Sequence, residues 1–546
     1  GAYALDANTS ADNNTAIGFL SLSANTTGAN NVAVGSGASD SNTSGANNVA
    51  IGQIALEDNT TGGQNVAIGR GSMTSNTTAS NNVAVGINTL AANTDATGNV
   101  AVGAAALNQS TGQNNTAVGC FTMDANTSGQ LNTGIGRGAL GVNTTGNENT
   151  ALGGSALDAN TTGGANTAVG VDALGANTTA SDNVAVGKSA LASNTTGTTN
   201  TALGRMSLSQ QTTTHNNTGV GYAALRFNTT GTQQVAVGRS ALEANTTGHY
   251  NQAFGYGALT NNTTANYNTA VGYLALNTNT TGPFNTALGR STLNSNTTGS
   301  GNVAVGDIAL GANTTGDNNV AVGVGALDAN TTADNNVAVG TAALGVNTTG
   351  YSNVSVGNHS LDANTTGHSN TAVGKSSLGT NQTGSANTGC GWGSLGQNTS
   401  SHNTAVGYNC LGANTSGAYN VSVGSVSLDA NTTGGYNTAV GYGAGGSNTT
   451  SNHMVAVGTN ALRDSTTGTQ NTAVGSQAMQ ANTTGYNNVG IGMNALLSNT
   501  TGKENVAVGV VSTDVSTTAD RNTAVGYNTL GACTTGSQNA ALGKSA

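Results

Sequence analysis

Residues 306–323 read GDIALGANTTGDNNVAVG, and residues 323–340 read GVGALDANTTADNNVAVG, so the second stretch repeats the first with few changes. Each stretch begins and ends at a glycine that follows an apolar residue, and successive glycines of this kind lie 17 residues apart. A repeat of fixed length within one chain is typical of solenoids, in which each repeat packs against the next. This segment therefore decides how the rest of the chain is interpreted.

The same spacing extends along the whole sequence. The recurring glycine, called here the anchor glycine at position 0, occurs first at Gly1 and last at Gly543. Only the intervals from Gly103 to Gly119 and from Gly391 to Gly407 are one residue shorter. We therefore expect residues 1–546 to form a single continuous repeat array. Because the sequence starts and stops within the pattern, we also expect this array to be a window of a longer fibre.

The consensus repeat reads G-x-x-A-L-x-A-N-T-T-G-x-x-N-T-A-V, and its positions are numbered 0 to 16 from the anchor glycine. It contains two short β-prone pieces separated by glycine and by Asn-Thr-Thr-Gly. This unit is too short for a pair of packed helices but suits one coil of a parallel β-solenoid. We predict an all-β fold, a parallel β-solenoid (β-helix or β-roll) of 17-residue coils stacked about 4.8 Å apart.

Composition argues against other classes of protein. Only 6% of the residues are charged and 3% are aromatic, which does not fit an ordinary globular enzyme. Glycine- and asparagine-rich chains of low complexity are often disordered. However, the chain has a single proline, Pro283, and its apolar residues recur on a fixed schedule, so we expect it to fold.

Three positions of the repeat indicate the interior. Position 16 is always apolar, as at Val34 and Phe254, and position 4 is nearly always Leu or Met, as at Leu56 and Met73. We expect both to face a core. Position 15 is restricted to Ala, Gly or Ser, as at Ala33, which indicates that another backbone or sheet approaches closely there.

Charge indicates the exterior, because burial of an unpaired ion is costly. Lysine and arginine occur only at positions 1, 5, 11 and 12 of the repeat, and acidic residues share these columns with a few exceptions. No charged residue occupies the NTAVG segment or the Ala-Leu pair. We therefore predict that positions 1, 5, 11 and 12 face solvent. Acidic residues in neighbouring coils, such as Asp40 and Glu57, suggest calcium binding, but a solvated face is the favoured interpretation.

Two columns are rich in asparagine. Position 13 is Asn except at Gln234 and Met454, and we expect its amides to form a ladder along the stack. Position 7 carries the sequon Asn-x-Ser/Thr in most coils, which would place it on exposed turns open to glycosylation, although Asn-Thr-Thr is also favourable turn sequence. The adjacent threonines are candidates for O-linked sugars. The candidate glycosylation residues are Asn25, Asn42, Asn59, Asn76, Asn143, Asn160, Asn245, Asn313 and Asn364.

No catalytic residue, metal ligand or cofactor site is predicted. The four cysteines fall in four different columns, so they form neither a metal-binding spacing nor a disulfide framework. The six histidines are interpreted as scattered, without a recurring second ligand beside them. We therefore expect a protein that is not an enzyme and needs no cofactor.

The strings NTAVGxxAL and NVAVGxxAL resemble the head-domain repeats of trimeric autotransporter adhesins, and GYxALxxNTTGxxNTAVG resembles repeats of bacterial and phage tail-fibre-like proteins. The resemblance covers the whole chain. It implies a β-roll or β-helix, commonly in a three-chain bundle, that works as an adhesive or structural fibre outside the cell or on a virion. The adhesin coils are shorter than 17 residues, so handedness and chain number are not transferred.

Three function classes follow from these observations. The favoured class is a structural extracellular filament, because no single coil differs from the rest as a binding site would. The alternatives are an adhesin or phage tail-fibre shaft that binds a cell-surface receptor, and an ice-binding solenoid. We expect partners to be copies of this chain, end to end or as a trimer bundle, and glycans attached or bound. The weak net charge of −10 and the absence of a long apolar run make nucleic acid and membrane insertion poor candidates.

Overall fold

The computed structural model describes residues 1–546 and contains 32 short β-strands and no helix. The chain divides into two compact units, Gly1–Ala270 and Val271–Ala546. In each unit the strands come from successive 17-residue repeats and pair in parallel. The predicted all-β parallel β-solenoid is therefore confirmed.

The first unit contains strands that each cover positions 14 to 16 of one repeat. These are β1 (Thr15–Ile17), β2 (Val32–Val34), β3 (Val49–Ile51), β4 (Val66–Ile68), β5 (Val83–Val85), β6 (Val100–Val102), β7 (Thr116–Val118), β8 (Thr133–Ile135), β9 (Thr150–Leu152), β10 (Thr167–Val169), β11 (Val184–Val186), β12 (Thr201–Leu203), β13 (Thr218–Val220), β14 (Val235–Val237) and β15 (Gln252–Phe254). Strand β16 covers Thr269–Val271.

The second unit repeats the same arrangement. Its strands are β17 (Thr286–Leu288), β18 (Val303–Val305), β19 (Val320–Val322), β20 (Val337–Val339), β21 (Val354–Val356), β22 (Thr371–Val373), β23 (Thr388–Cys390), β24 (Thr404–Val406), β25 (Val421–Val423), β26 (Thr438–Val440), β27 (Val455–Val457), β28 (Thr472–Val474), β29 (Val489–Ile491), β30 (Val506–Val508), β31 (Thr523–Val525) and β32 (Ala540–Leu542).

Neighbouring strands pair with each position opposite the same position of the next repeat. Val32 of β2 lies opposite Val49 of β3, Ala33 opposite Ala50, and Val34 opposite Ile51. The turns are hydrogen-bonded between coils as well: the Thr43 N–H donates to the Thr60 carbonyl at 2.9 Å. Each coil is held in register with the next along most of its length. Side chains at the same repeat position therefore stack in columns.

The core inside each coil is narrow. It is filled by Ala at position 3, Leu or Met at position 4 and Ala, Gly or Ser at position 15, and representative members such as Ala55, Leu56 and Ala67 are fully buried. The predictions for positions 4 and 15 are confirmed. Position 15 is limited to small residues because its side chain points into the coil, where the opposite wall is close. At Gly134, for example, an added Cβ would meet the methyl group of Met123 and the side chain of Thr122.

Position 16 does not face this core, so the prediction for it is wrong. In strand β3, Ala50 is buried whereas Val49 is half-buried and Ile51 is exposed. Side chains alternate across a strand, so positions 14 and 16 point away from the side that position 15 occupies. The apolar column at position 16 therefore lies on the outside of the coil.

The anchor glycine is required by geometry. Gly153 has φ of +140°, and a Cβ placed on it would stand 2.6 Å from the carbonyl carbon and oxygen of Gly170 in the next coil. A side chain here would meet backbone that cannot move aside, in a region that L-residues rarely adopt. The corner between the strand and the following turn thus depends on glycine in both of two neighbouring coils.

One of the two short repeats shows which part of the coil tolerates a deletion. The repeat that starts at Gly103 reads Ser110-Thr111-Gly112 where its neighbours have four residues, so it lacks position 9 at the tip of the turn. Strands β6 and β7 nevertheless pair in register, with Val100 opposite Thr116. The deletion is accommodated because position 9 is an exposed residue outside the stacked columns.

Candidate interaction surfaces

The outward side chains of positions 14 and 16 form a continuous surface in each unit, called here the strand face. Position 14 is Thr or Val in all coils except at Gln252 and Ala540, and position 16 is apolar in all of them. Exposed members of position 16 include Leu152, Leu203 and Leu288. An exposed column without one polar residue is unusual, because solvent-facing positions normally accept polar and charged side chains.

The border of the strand face is more varied, with charged, aromatic, aliphatic and small residues. Position 1, which follows the anchor glycine, carries most of the basic residues, and Arg70, Lys188 and Arg290 are all exposed. Arg290 donates to the Asp307 carboxylate of the next coil at 2.8 Å, and this bond raises the pKa of the guanidinium. The uniform apolar character of position 16 therefore contrasts with the variable position 1 beside it.

The sequon column lies inside the coil, contrary to the prediction that it occupies exposed turns. The Asn42 amide nitrogen donates to Asn25 Oδ1 at 2.7 Å and to the Gly45 carbonyl at 3.0 Å, and Asn42 Oδ1 accepts from Asn59 Nδ2 at 2.8 Å. Both amide hydrogens are therefore used, and the nitrogen that would carry a sugar is enclosed. All the candidate glycosylation residues are fully buried: Asn25, Asn42, Asn59, Asn76, Asn143, Asn160, Asn245, Asn313 and Asn364.

The position-7 ladder is interrupted at several substitutions. Asn93, Asn194 and Asn499 have buried Oδ1 atoms without a hydrogen-bond partner. In the coil that follows each of them, position 7 is Ser110, Gln211 or Ser516 respectively, so no asparagine amide reaches back. These three substitutions therefore each leave a buried acceptor unpaired, whereas Asn448 Oδ1, which precedes Ser465, accepts from the Ser451 backbone N–H instead. Asn381 Oδ1 is also unpaired, next to the short repeat that starts at Gly391.

Position 13 forms the predicted second ladder, with different bonding. The Asn48 backbone N–H donates to Asn31 Oδ1 at 2.9 Å, and the Asn48 amide donates to the Gly62 carbonyl at 2.9 Å. Through its backbone N–H and its side chain together, Asn48 thus links three successive coils. Gln234 and Met454 keep the backbone donation to the preceding asparagine oxygen, at 3.0 and 2.9 Å.

The threonines of the turn differ from each other. At position 8, the Thr43 hydroxyl donates to the Thr60 carbonyl at 2.9 Å, so it continues the ladder of the turn. The next residue, at position 9, is exposed, as at Thr61 and Thr78. O-linked modification of that column stays a prediction.

The acidic residues at position 5 are half-buried rather than fully solvated. The Asp328 carboxylate packs over Gly311 of the preceding coil, where a Cβ added to the glycine would stand 2.8 Å from the carboxylate oxygen. Burial raises the pKa of Asp328, and it also raises the pKa of Asp158, with a smaller contribution from Asp172. Burial followed by the neighbouring charges of Asp58 and Asp40 raises the pKa of Glu57.

The histidines are not all scattered, which corrects the prediction. His402, Tyr419, Tyr436 and His453 stack in one column on the surface, with ring centroids 4.8, 5.0 and 5.2 Å apart. Tyr351 and His368 stack at 4.8 Å in another column. The sequence contains the signal, since these rings recur at the repeat spacing, but the histidines must be aligned together with the tyrosines to reveal it.

The cysteines lie in separate environments and are free thiols. Cys390 is exposed at position 16 of the strand face, Cys120 is exposed at position 1, and Cys410 is buried in the core. Burial raises the pKa of the Cys410 thiol to about 11. No group of three or more His, Cys, Asp or Glu side chains is placed so that it could hold a metal ion.

Comparison with protein-family models finds no match, and comparison with curated proteins finds none. None of the chain forms a helix long and apolar enough to cross a membrane.

Proposed function

We propose that this chain is a structural, non-enzymatic repeat protein of an extracellular fibre. The observation that supports the proposal most is the uniformity of the stack: successive coils use the same backbone pairing, the same glycine corner and the same two asparagine ladders. A uniform stack transmits load through every coil and can be lengthened by adding repeats. The extracellular location is supported by the resemblance of the repeats to those of surface adhesins and tail fibres.

Electron microscopy of the native source tests this proposal. Antibodies against the chain should label filaments outside cells or on virions, and isolated filaments should give a repeat of about 4.8 Å along their axis. Labelling confined to the cytoplasm, or isolation of the chain only as a small soluble particle, would contradict the proposed function.

The surface aromatic columns favour a second candidate, an adhesive shaft. The stack from His402 to His453 and the pair formed by Trp392 and Tyr408, whose rings are 5.0 Å apart, present aromatic edges on the surface. Aromatic side chains supply large contact areas at low entropic cost, which is why they are enriched in binding surfaces. Only some coils carry them, as expected for local receptor contacts on an otherwise uniform series of coils.

Cell-binding measurements separate the two candidates. Replacement of Tyr419 and Tyr436 by serine should lower adhesion at least several-fold if the stack contacts a receptor, while filament formation should be unchanged. Serine replacement of the exposed Tyr273 and Tyr486 serves as the control, since both lie outside this stack. Equal adhesion by all of these proteins would leave the purely structural function.

A further inference from the structure

We propose that the strand face is an interface between copies of this chain, with the strand face of one copy packed against the strand face of a second. This inference rests on the proposed function, since it describes how chains of the fibre associate side by side. It depends on three observations: the chemistry of the exposed columns, their area and their fixed spacing.

The chemistry of the strand face is that of a covered surface. Within one strand such as β20, Ala338 is fully buried while Val337 and Val339 point outward, with Val339 exposed. Position 16 remains apolar through every repeat, although the exposed position 1 beside it varies among charged, aromatic and small residues. Because the same chain changes its exposed residues freely elsewhere, the uniformity of position 16 indicates contact with a partner.

The area of the strand face is sufficient for a stable complex. Positions 14 and 16 form a strip about 10 Å wide, and 15 strands spaced by about 4.8 Å give it a length of roughly 70 Å in the first unit. The first unit alone thus offers roughly 700 Å², close to the ~800 Å² per partner that specific interfaces bury. The second unit offers a comparable strip.

The spacing identifies the occupant as a second copy. Rows of Val, Ile, Leu and Thr side chains recur at every strand, so they form ridges and grooves with the strand spacing. A sheet with the same spacing can interdigitate with all of these rows, as facing sheets do in a β-sandwich about 10 Å apart. A small ligand or a compact protein would cover only a few rows and would leave the others in water.

The chain contains its own probes for testing this interface. Cys390 lies in the strand face, Cys120 is exposed at position 1, and Cys410 is buried. We would measure alkylation of each thiol by iodoacetamide at high and low protein concentration, with the assembled mass followed by sedimentation velocity. Alkylation of Cys390 should slow at least tenfold at the concentration where chains associate, while Cys120 changes little. Alkylation of Cys410 should stay negligible and reports unfolding if it rises.

Two matched variants make the test specific to the strand face. Leu288→Glu, Val373→Glu and Val406→Glu together place charge on position 16, where these residues are 48%, 38% and 38% exposed. This variant should associate at least tenfold more weakly, and its Cys390 should react at the rate of the dilute chain. The control variant combines Leu131→Glu, Val142→Glu and Val346→Glu, which are 54%, 45% and 47% exposed at positions 6 and 12, away from the strand face and its border, and it should behave as the unmodified chain.

The outcomes distinguish this interface from the proposed function. Filaments one chain wide, in which Cys390 stays as reactive as in the dilute chain, would overturn the interface and leave the fibre intact. Paired chains with a protected Cys390, found without filaments in the native source, would support the interface and contradict the fibre. An equal loss of association in the control variant would overturn the interface. The interface would also be overturned if Cys390 became protected from alkylation only when ice crystals or phosphatidylcholine vesicles were added.

Discussion

The two sides of each strand use small and large apolar residues in opposite ways. In β20, the side that faces the coil interior carries Ala338, whereas the side that faces outward carries Val337 and Val339. The larger side chains are therefore outside and the smallest is inside. Hydrophobicity alone would assign Val339 to the core, but the narrow coil admits only Ala, Gly or Ser at position 15 beside the stacked Leu column. Restriction of size, rather than the presence of apolar residues, identifies the interior of this solenoid.

The largest expected difference in the free energy of unfolding is between the same substitution made on the two sides of one strand. Ala338→Asp places a carboxylate in a fully buried column and should lower the free energy of unfolding by about 3–5 kcal/mol. Val339→Asp, one residue later, should change it by less than about 1 kcal/mol in the dilute chain. Denaturant unfolding followed by circular dichroism measures both. Similar losses for the two variants would show that the sides are wrongly assigned.

Neighbouring glycines provide the next contrast between constrained and free positions. Gly153→Ala introduces a Cβ 2.6 Å from the Gly170 carbonyl at φ of +140°, and we expect a loss of about 2–4 kcal/mol. Gly154→Ala meets no atom within 4 Å and should be neutral within about 0.5 kcal/mol. Thermal unfolding measures the stability of both variants. A Gly153→Ala variant as stable as the unmodified chain would contradict the requirement for glycine at this corner.

A substitution that completes the position-7 ladder should raise the free energy of unfolding. Gln211→Asn gives the unpaired Oδ1 of Asn194 an amide donor, and its own Oδ1 can accept from the Asn228 amide, so the free energy of unfolding should increase by about 1 kcal/mol. Ser498→Asn, on the half-exposed position before Asn499, is the control and should have little effect. If both substitutions had the same effect, the stabilisation could not be attributed to the ladder.

The smallest expected effect concerns the acidic column. Burial raises the pKa of Asp158, Asp328 and Asp429 in the folded chain above the value of the unfolded chain. The folded state then binds more protons between the two values, so the chain should become slightly more stable as pH falls from neutral through the raised pKa. Asp328→Asn should reduce this pH dependence, by less than about 1 kcal/mol because the side chain is partly solvated. Denaturant midpoints at pH 7 and pH 4 provide the comparison.

The sequence contained enough information for the repeat, the parallel stack, the inward position of Leu56 and the small-residue column at Ala33. These features follow from spacing and from strict limits on residue size. The sequence did not reveal that Val34 faces outward, because an interface between chains and a core select the same apolar residues. It also did not reveal that Asn42 is buried, since an inward ladder and an exposed turn both favour asparagine beside threonine. Only the direction of the side chains separates these alternatives.

Cryo-electron microscopy of the assembled chain tests the central claim most directly, because it resolves side-chain direction and neighbouring copies together. The account predicts coils about 4.8 Å apart, with alanine and the asparagine ladders inside each coil and the Val, Ile and Leu row of position 16 against the same row of a second copy. A map with the position-16 row enclosed within its own coil, or with the strand face open to solvent throughout the assembly, would contradict it.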